Sequence, residues 1–258
     1  MVAFCTSKVK YTGTGTPGLP FLAVMGTQQP ALDPVTPYRY VGGDPSIDFV
    51  NTVDWTGRGR ECDRFTSYAR LIEWAEGAHA LAPSVLGALR RAAKRDGYEA
   101  ERVVREAVEL RTLLERAFFG IAGGGHVDAE LAELSQGWLR RSLAQIAVSG
   151  ERGAAGGRGF VFDWPRAAQA LESPLWSVAW SAARLLTSDD VARIRRCGGI
   201  DCGWYYIDRS RNGLRRWCEM ETCGTVMKSY RRAERNARAR ERATGAPSAS
   251  GGASRERR

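Results

Sequence analysis

The sequence predicts a mainly α protein in two parts: a helical domain, with room for a small β-hairpin, followed by a small module folded around two cysteine pairs. Three observations predict it. Apolar residues recur at three- and four-residue steps over most of 67–196. Four of the six cysteines fall within 197–223, in two pairs of the same spacing. Charge divides at the same place. Residues 191–258 carry 17 Lys+Arg against 7 Asp+Glu, a net +10, whereas residues 1–190 carry 21 against 22 and are near neutral. The expected boundaries are 1–37 for a disordered leader, 38–190 for the helical domain, 191–243 for the cysteine module with its basic helix, and 244–258 for a disordered tail.

Residues 1–37 are rich in Thr, Gly and Pro and carry neither a helical nor a strand period. Lys8 and Lys10 before the apolar run 19–26 faintly resemble a signal peptide, but the run is short and no small-residue cleavage site follows it. Cys5 is expected to have no role, and Met25 could serve as a start. No stretch approaches the ~18 apolar residues of a membrane span. A cytoplasmic protein with no membrane partner is expected.

Order should begin near Tyr40. Asp44 is placed to cap a helix with Pro45 in its first position. Ile47, Phe49, Val50 and Val53 form a buried stripe that Trp55 closes, and Cys62 reads as a packed thiol. A helix over 67–79 turns Leu71, Ile72, Trp74 and Ala75 inward. Another opens at Pro83-Ser84, has Val85, Leu86, Leu89 and Ala92 as its apolar residues, and ends at Gly97. The longest should run from Tyr98 to about Ala122, with Val103, Val104, Ala107, Val108, Leu110, Leu114, Phe118 and Phe119 inward. Glu101–Arg105 and Arg111–Glu115 would pair on its outer face. Asp128 is expected to cap a helix through Leu139. Residues 143–148 and 160–164, either side of a Gly/Arg-rich turn, read as a hairpin, although the first run could equally continue the preceding helix. Ser173-Pro174 starts a buried helix. Ser188 caps a short one, 188–196, that delivers Cys197, with Asp189-Asp190 and Arg195-Arg196 matched to its dipole.

Four residues separate Cys197 from Cys202, four separate Cys218 from Cys223, and fifteen lie between the pairs. A tetrahedral ion such as Zn²⁺ needs four soft ligands at ~2.3 Å, and two short cysteine knuckles on a loop supply them. The alternatives are two disulfides or scattered buried thiols. Disulfide frameworks belong to small, Cys-dense secreted domains, which a 258-residue chain with six cysteines is not. Four thiolates leave no open coordination position, so one structural Zn²⁺ is expected. Between the pairs, residues 204–210 alternate as a strand would, Asn212-Gly213 signals a turn, and 214–218 would return as the partner strand. A basic helix follows, with Val226, Met227 and Tyr230 as its apolar face. Knuckle, hairpin, knuckle and helix resemble a zinc ribbon or treble clef. Trp204, Tyr205, Tyr206 and Trp217 could stack on bases or form the miniature core of this module; packing is the expected role.

These residues also carry a family resemblance. Cys-x₄-Cys, the strand ending in Asp208-Arg209-Ser210, Arg215-Arg216-Trp217-Cys218, and Cys223-Gly224 before Lys228 resemble the CGNR zinc finger. The segment 42–52, GGDPSIDFVNT, resembles the start of the ABATE domain that precedes that finger. The resemblance covers roughly 40–240 and implies a bacterial, stress-induced transcriptional regulator whose finger binds DNA. The family motif continues Cys-Gly-Asn-Arg, where this chain has Cys223-Gly224-Thr225-Val226. The ligand and the turn glycine are kept; the amide and the guanidinium are not.

A basic end on a neutral domain suits a polyanion. Arg209, Arg211, Arg215 and Arg216 on the hairpin, with Lys228, Arg231, Arg232 and Arg235 on the helix, are the expected nucleic-acid contacts, because guanidinium groups pair with phosphates and read guanine. DNA is the leading partner and RNA an alternative. The same module could instead dock on an acidic protein, or its helix could be a solvated basic tail. The helical domain would then sense a ligand, whose identity the sequence leaves open, or form a homodimer. Catalysis is not expected. His79 and His126 are the only histidines and stand in no catalytic motif, and no phosphate-binding or nucleophile motif is present. Asp48, Asn51 and Asp54, polar groups near an apolar stripe, could line a pocket; capping or bracing the fold is their expected role.

Overall fold

The computed structural model describes residues 37–56, 59–152 and 158–244. The expected leader and tail, with Cys5 and Met25, lie outside these apart from Pro37 and Thr244. Helix α1 (Pro45–Val50) begins as expected: Asp44 accepts the Ser46 N–H at 2.8 Å, and Pro45 fills the first turn. A short hairpin follows, β1 (Val53–Thr56) paired antiparallel with β2 (Gly59–Asp63). The apolar stripe that Trp55 closes continues into this hairpin, which is not among the elements the sequence predicts.

Helix α2 (Tyr68–Gly77) is capped by Ser67. Helices α3 (Pro83–Arg95) and α4 (Gly97–Gly123) are separated by Asp96 alone, whose side chain caps α4 through the Glu99 N–H at 3.0 Å. Ile47, Phe49, Leu71, Ile72, Trp74, Val103, Leu110, Leu114, Phe118 and Val178 fill one core. Phe49 meets Trp74 edge-on at 4.9 Å between ring centroids.

Two expectations for α4 are corrected. Phe119 is 59% exposed rather than inward; adjacent helical positions differ by ~100°, and Phe118 takes the core direction. Arg111 does not face out to Glu115. It is fully buried, donating to Thr52 Oγ1 at 3.0 Å and to both carboxylate oxygens of Asp63. It thereby ties α4 to the link between α1 and β1 and to the end of β2.

The next helix is broken into α5 (Asp128–Glu133), a widened π turn (Leu134–Leu139) and α6 (Arg140–Leu143). Asp128 is its first residue and makes no side-chain cap. The second hairpin forms as β3 (Ala147–Arg152) and β4 (Arg158–Asp163), with Val148 opposite Phe162. Helix α7 (Ser173–Leu186) packs against α1, α2 and α4.

The segment expected as a helix over 188–196 is instead a 3₁₀ turn (Asp189–Arg193) followed by strand β5 (Ile194–Arg196). Its partner is β6 (Tyr205–Ile207), antiparallel, with Ile194 opposite Ile207. Residues 214–218 form no strand, which corrects the expected return strand. In the extended form Ile194 points into the core and is fully buried, with Tyr205 and Ile207 beside it in the same cluster as α4. The helical core and the cysteine module therefore share one small sheet. After a π turn (Met220–Gly224), α8 (Thr225–Thr244) runs 20 residues.

Candidate metal centre and basic surface

The four cysteines converge. Their Sγ atoms all lie within 4.8 Å of one another, with Cys202 and Cys218 at 3.8 Å and Cys218 and Cys223 at 3.6 Å. Four ligands at ~2.3 Å from a tetrahedral zinc stand ~3.8 Å apart, so the donor set and its spacing fit that ion. Cys197, Cys218 and Cys223 are buried and Cys202 is partly buried. Cys197 Sγ accepts the Cys218 N–H at 3.2 Å and the Gly199 N–H at 3.4 Å. The neighbouring sulfurs and the Cys218 N–H push the Cys197 thiol down, toward the thiolate a metal requires.

The local fold accounts for this convergence. The Cys197 N–H donates to Trp204 O at 2.8 Å and the Gly198 N–H to Arg216 O at 2.9 Å, clamping the first knuckle between β6 and the second. Gly224 packs closely under the second knuckle: a Cβ there would lie 2.3 Å from Met220 Sδ and 3.1 Å from Trp217 Cδ1, so the methionine side chain would have to move aside. Thr225 Oγ1 donates to Met220 O at 3.2 Å, and Val226 is half-buried. Trp204, Tyr206 and the cysteines make a second buried cluster, with Val41, Trp55 and Trp217 at its edge. Packing is therefore the role of three of the four aromatics, Tyr205 in the helical core and Trp204 and Tyr206 around the sulfurs. Trp217 remains half-buried.

The helical domain grips this centre through several contacts. Trp204 Nε1 donates to Val53 O at 2.7 Å. Gly203 lies flat on Trp55, where a Cβ would come within 2.3 Å of the indole. Asp54, 3.1 and 3.2 Å from Arg64 Nε, holds that guanidinium 5.9 Å from the Trp204 ring. Asp48 accepts the Gly42 N–H at 2.8 Å, and the Ile207 N–H in turn donates to Gly42 O at 2.8 Å. Asp48 and Asp54 are thus braces, as is Asn51, whose side chain bonds the backbone of Tyr205.

The eight expected nucleic-acid residues divide into two sets. Arg215 is turned inward over the Tyr206 ring at 4.3 Å and donates to the carbonyls of Trp217 at 2.9 Å, Val41 at 3.2 Å and Cys218. Arg209 pairs with Asp190 at 2.7 Å and donates to Gly43 O at 2.9 Å. Arg211, Arg216, Lys228, Arg231, Arg232 and Arg235 are exposed. Arg216 and Arg231 come together, their guanidinium carbons 5.4 and 5.7 Å from the Trp217 ring centre. Among the described residues, no helix is long and apolar enough to cross a membrane.

Residues 43–189 match the ABATE family model, described as "Putative stress-induced transcription regulator", and residues 193–242 match the CGNR zinc finger model. No curated protein matches the chain. With more than half of its length inside the first model and the second following directly on it, the chain belongs to the ABATE family and ends in a CGNR zinc finger.

Proposed function

We propose that the chain is a DNA-binding transcriptional regulator of the bacterial cytoplasm, not an enzyme. In this reading Cys197, Cys202, Cys218 and Cys223 hold one structural Zn²⁺, and the helical domain acts as a sensor or dimerisation unit. Bound there, the ion would neutralise the thiolates and pin the two knuckles together. The supporting observation is the meeting of Arg216 and Arg231 at Trp217, at the root of a helix whose cations Lys228, Arg231, Arg232 and Arg235 are exposed. Twenty residues make a rod of about 30 Å, long enough to lie along a major groove. The metal end of that rod is braced against the helical domain by β6, so a grip on DNA would be felt there.

An anisotropy titration on duplex DNA, RNA and heparin at several salt concentrations tests this. Six exposed cations each neutralising a phosphate give a slope of log affinity against log salt of about −5. A preference for particular duplex sequences on top of that slope supports the regulator. Equal, weak binding to all three polyanions overturns it in favour of a solvated basic helix. Tighter binding to RNA moves the finger to that partner.

A further inference from the structure

The helical domain carries a cleft of about 680 Å³ between the β3–β4 hairpin and α7. Phe160, Phe162, Trp164 and Trp180 give it aromatic walls. Phe162 touches Trp180 edge-on at 5.3 Å, yet Phe160 and Phe162 remain 74% and 58% exposed. Exposed rings facing a concave surface leave apolar area for a ligand to cover. The hairpin thus stands over α7 as one wall of an open slot.

The Arg184 guanidinium, exposed on α7, and the His79 imidazole line the same space without an intramolecular partner among the described residues. His79 has φ +51°, the left-handed region, just past the end of α2. Glycine is the usual residue in that position, because a Cβ there is strained. The Ala80 N–H donates to Ala75 O at 2.9 Å and the His79 N–H to Glu76 O at 3.1 Å, so the turn that ends α2 accounts for this backbone and sets the imidazole at the edge of the cleft. At one end the cleft reaches Asp190 and Arg209, the pair that ties the cysteine module to the helical domain.

The geometry points to a binding site for a flat aromatic carboxylate, its rings between Phe160, Phe162 and Trp180 and its carboxylate on Arg184 and His79. Aromatic walls favour a planar π system, and the one charged lining group with no partner among the described residues is a cation. This assignment deepens the sensor reading of the helical domain and is independent of DNA binding.

The test is calorimetry, with tryptophan fluorescence in parallel, on the full metal-loaded chain. The probes are 2-naphthoate and the uncharged 2-naphthamide, with no DNA present. Naphthoate should bind roughly tenfold or more tighter than the amide, and Arg184→Gln should remove that preference. Phe160→Ala, at a largely exposed position, should weaken both probes without changing the circular dichroism spectrum. His79→Gly should raise the melting temperature while weakening naphthoate, a combination that a merely structural histidine would not give. Equal affinity for the two probes, an Arg184→Gln variant that binds naphthoate unchanged, or no binding of either up to millimolar concentration overturns the assignment. A negative result here leaves the DNA titrations untouched, and a failure of DNA binding leaves this site standing.

Discussion

The side chain of Asn51 closes a ring of two hydrogen bonds with the backbone of Tyr205: Nδ2 donates to Tyr205 O at 2.9 Å, and the Tyr205 N–H donates to Oδ1 at 2.8 Å. Asn51 ends α1 and Tyr205 opens β6, so this ring joins the helical domain to the strand leading out of the first cysteine knuckle. Both residues are buried, 3% and 2% exposed. Asn51→Leu keeps the volume but strands the N–H and the carbonyl of Tyr205 away from water. The expected cost is about 2–4 kcal/mol, read from urea unfolding. Because Ile194, Tyr205 and Ile207 lie in the helical core, unfolding should be one transition by both circular dichroism and tryptophan fluorescence. Two separate transitions would show that the finger folds on its own.

Loss of a cysteine should act across the same junction. Cys218→Ser removes a sulfur that stands within 3.8 Å of two others. Metal content should fall, and α8, with the π turn before it, should lose its anchor. Strands β5 and β6 should persist, because Asn51 and the helical core hold them independently of the sulfurs. The expected result is a helical signal reduced by about the share of residues 220–244, with a lower melting temperature for the whole chain. A variant that retains full metal by elemental analysis and the parent spectrum would overturn the metal assignment.

The arginines should separate by experiment as they do by contact. Arg215→Ala strips donors from three backbone carbonyls around the second knuckle, so it should cost about 2–3 kcal/mol of stability before it affects any partner. Arg232→Ala and Arg235→Ala should leave the melting temperature unchanged while each flattens the salt slope of DNA binding by about 0.9. If Arg232→Ala and Arg235→Ala bound DNA with the parent's slope, the face of α8 would not be the contact surface.

The cysteine spacing and the helical periods were legible because each reflects a local rule. Pairing partners were not. Asn212-Gly213 does sit at a turn, with Gly213 at φ +62°, but Asp208 closes that loop with its side chain, accepting the N–H groups of Ser210 and Arg215. A carboxylate thus does the work expected of a strand ladder, and β6 is free to pair with residues before the first knuckle. The pairing could be suspected only from Ile194, an apolar residue in a polar run whose burial requires an extended backbone. The burial of Arg111 escapes the sequence for a related reason. Its helical period alone marks it as a surface charge, and only Asp63, forty-eight positions away, makes its burial stable. The role of Asn51 had a weak signal, a polar residue ending an apolar stripe, without any sign of its partner.

Asp48 supplies a pH test of the brace beneath the finger. Burial raises its carboxyl to about 7, against the opposing pull of the Gly42 N–H. An acid whose folded pKa lies above its unfolded value of ~3.9 binds its proton more tightly in the native state. Its contribution to stability is therefore complete below about pH 4, declines as pH rises, and is lost above about 7. Asp48→Asn retains an oxygen for the Gly42 N–H and never ionises. The stability of Asp48→Asn minus that of the parent should grow by about 2–3 kcal/mol between pH 5 and 7 and stay level at higher pH. Urea unfolding at each pH, with metal content checked alongside, reads this difference. A difference that does not change over that window would mean that Asp48 is ionised in the native protein throughout, with Gly42 and its neighbours solvating the charge.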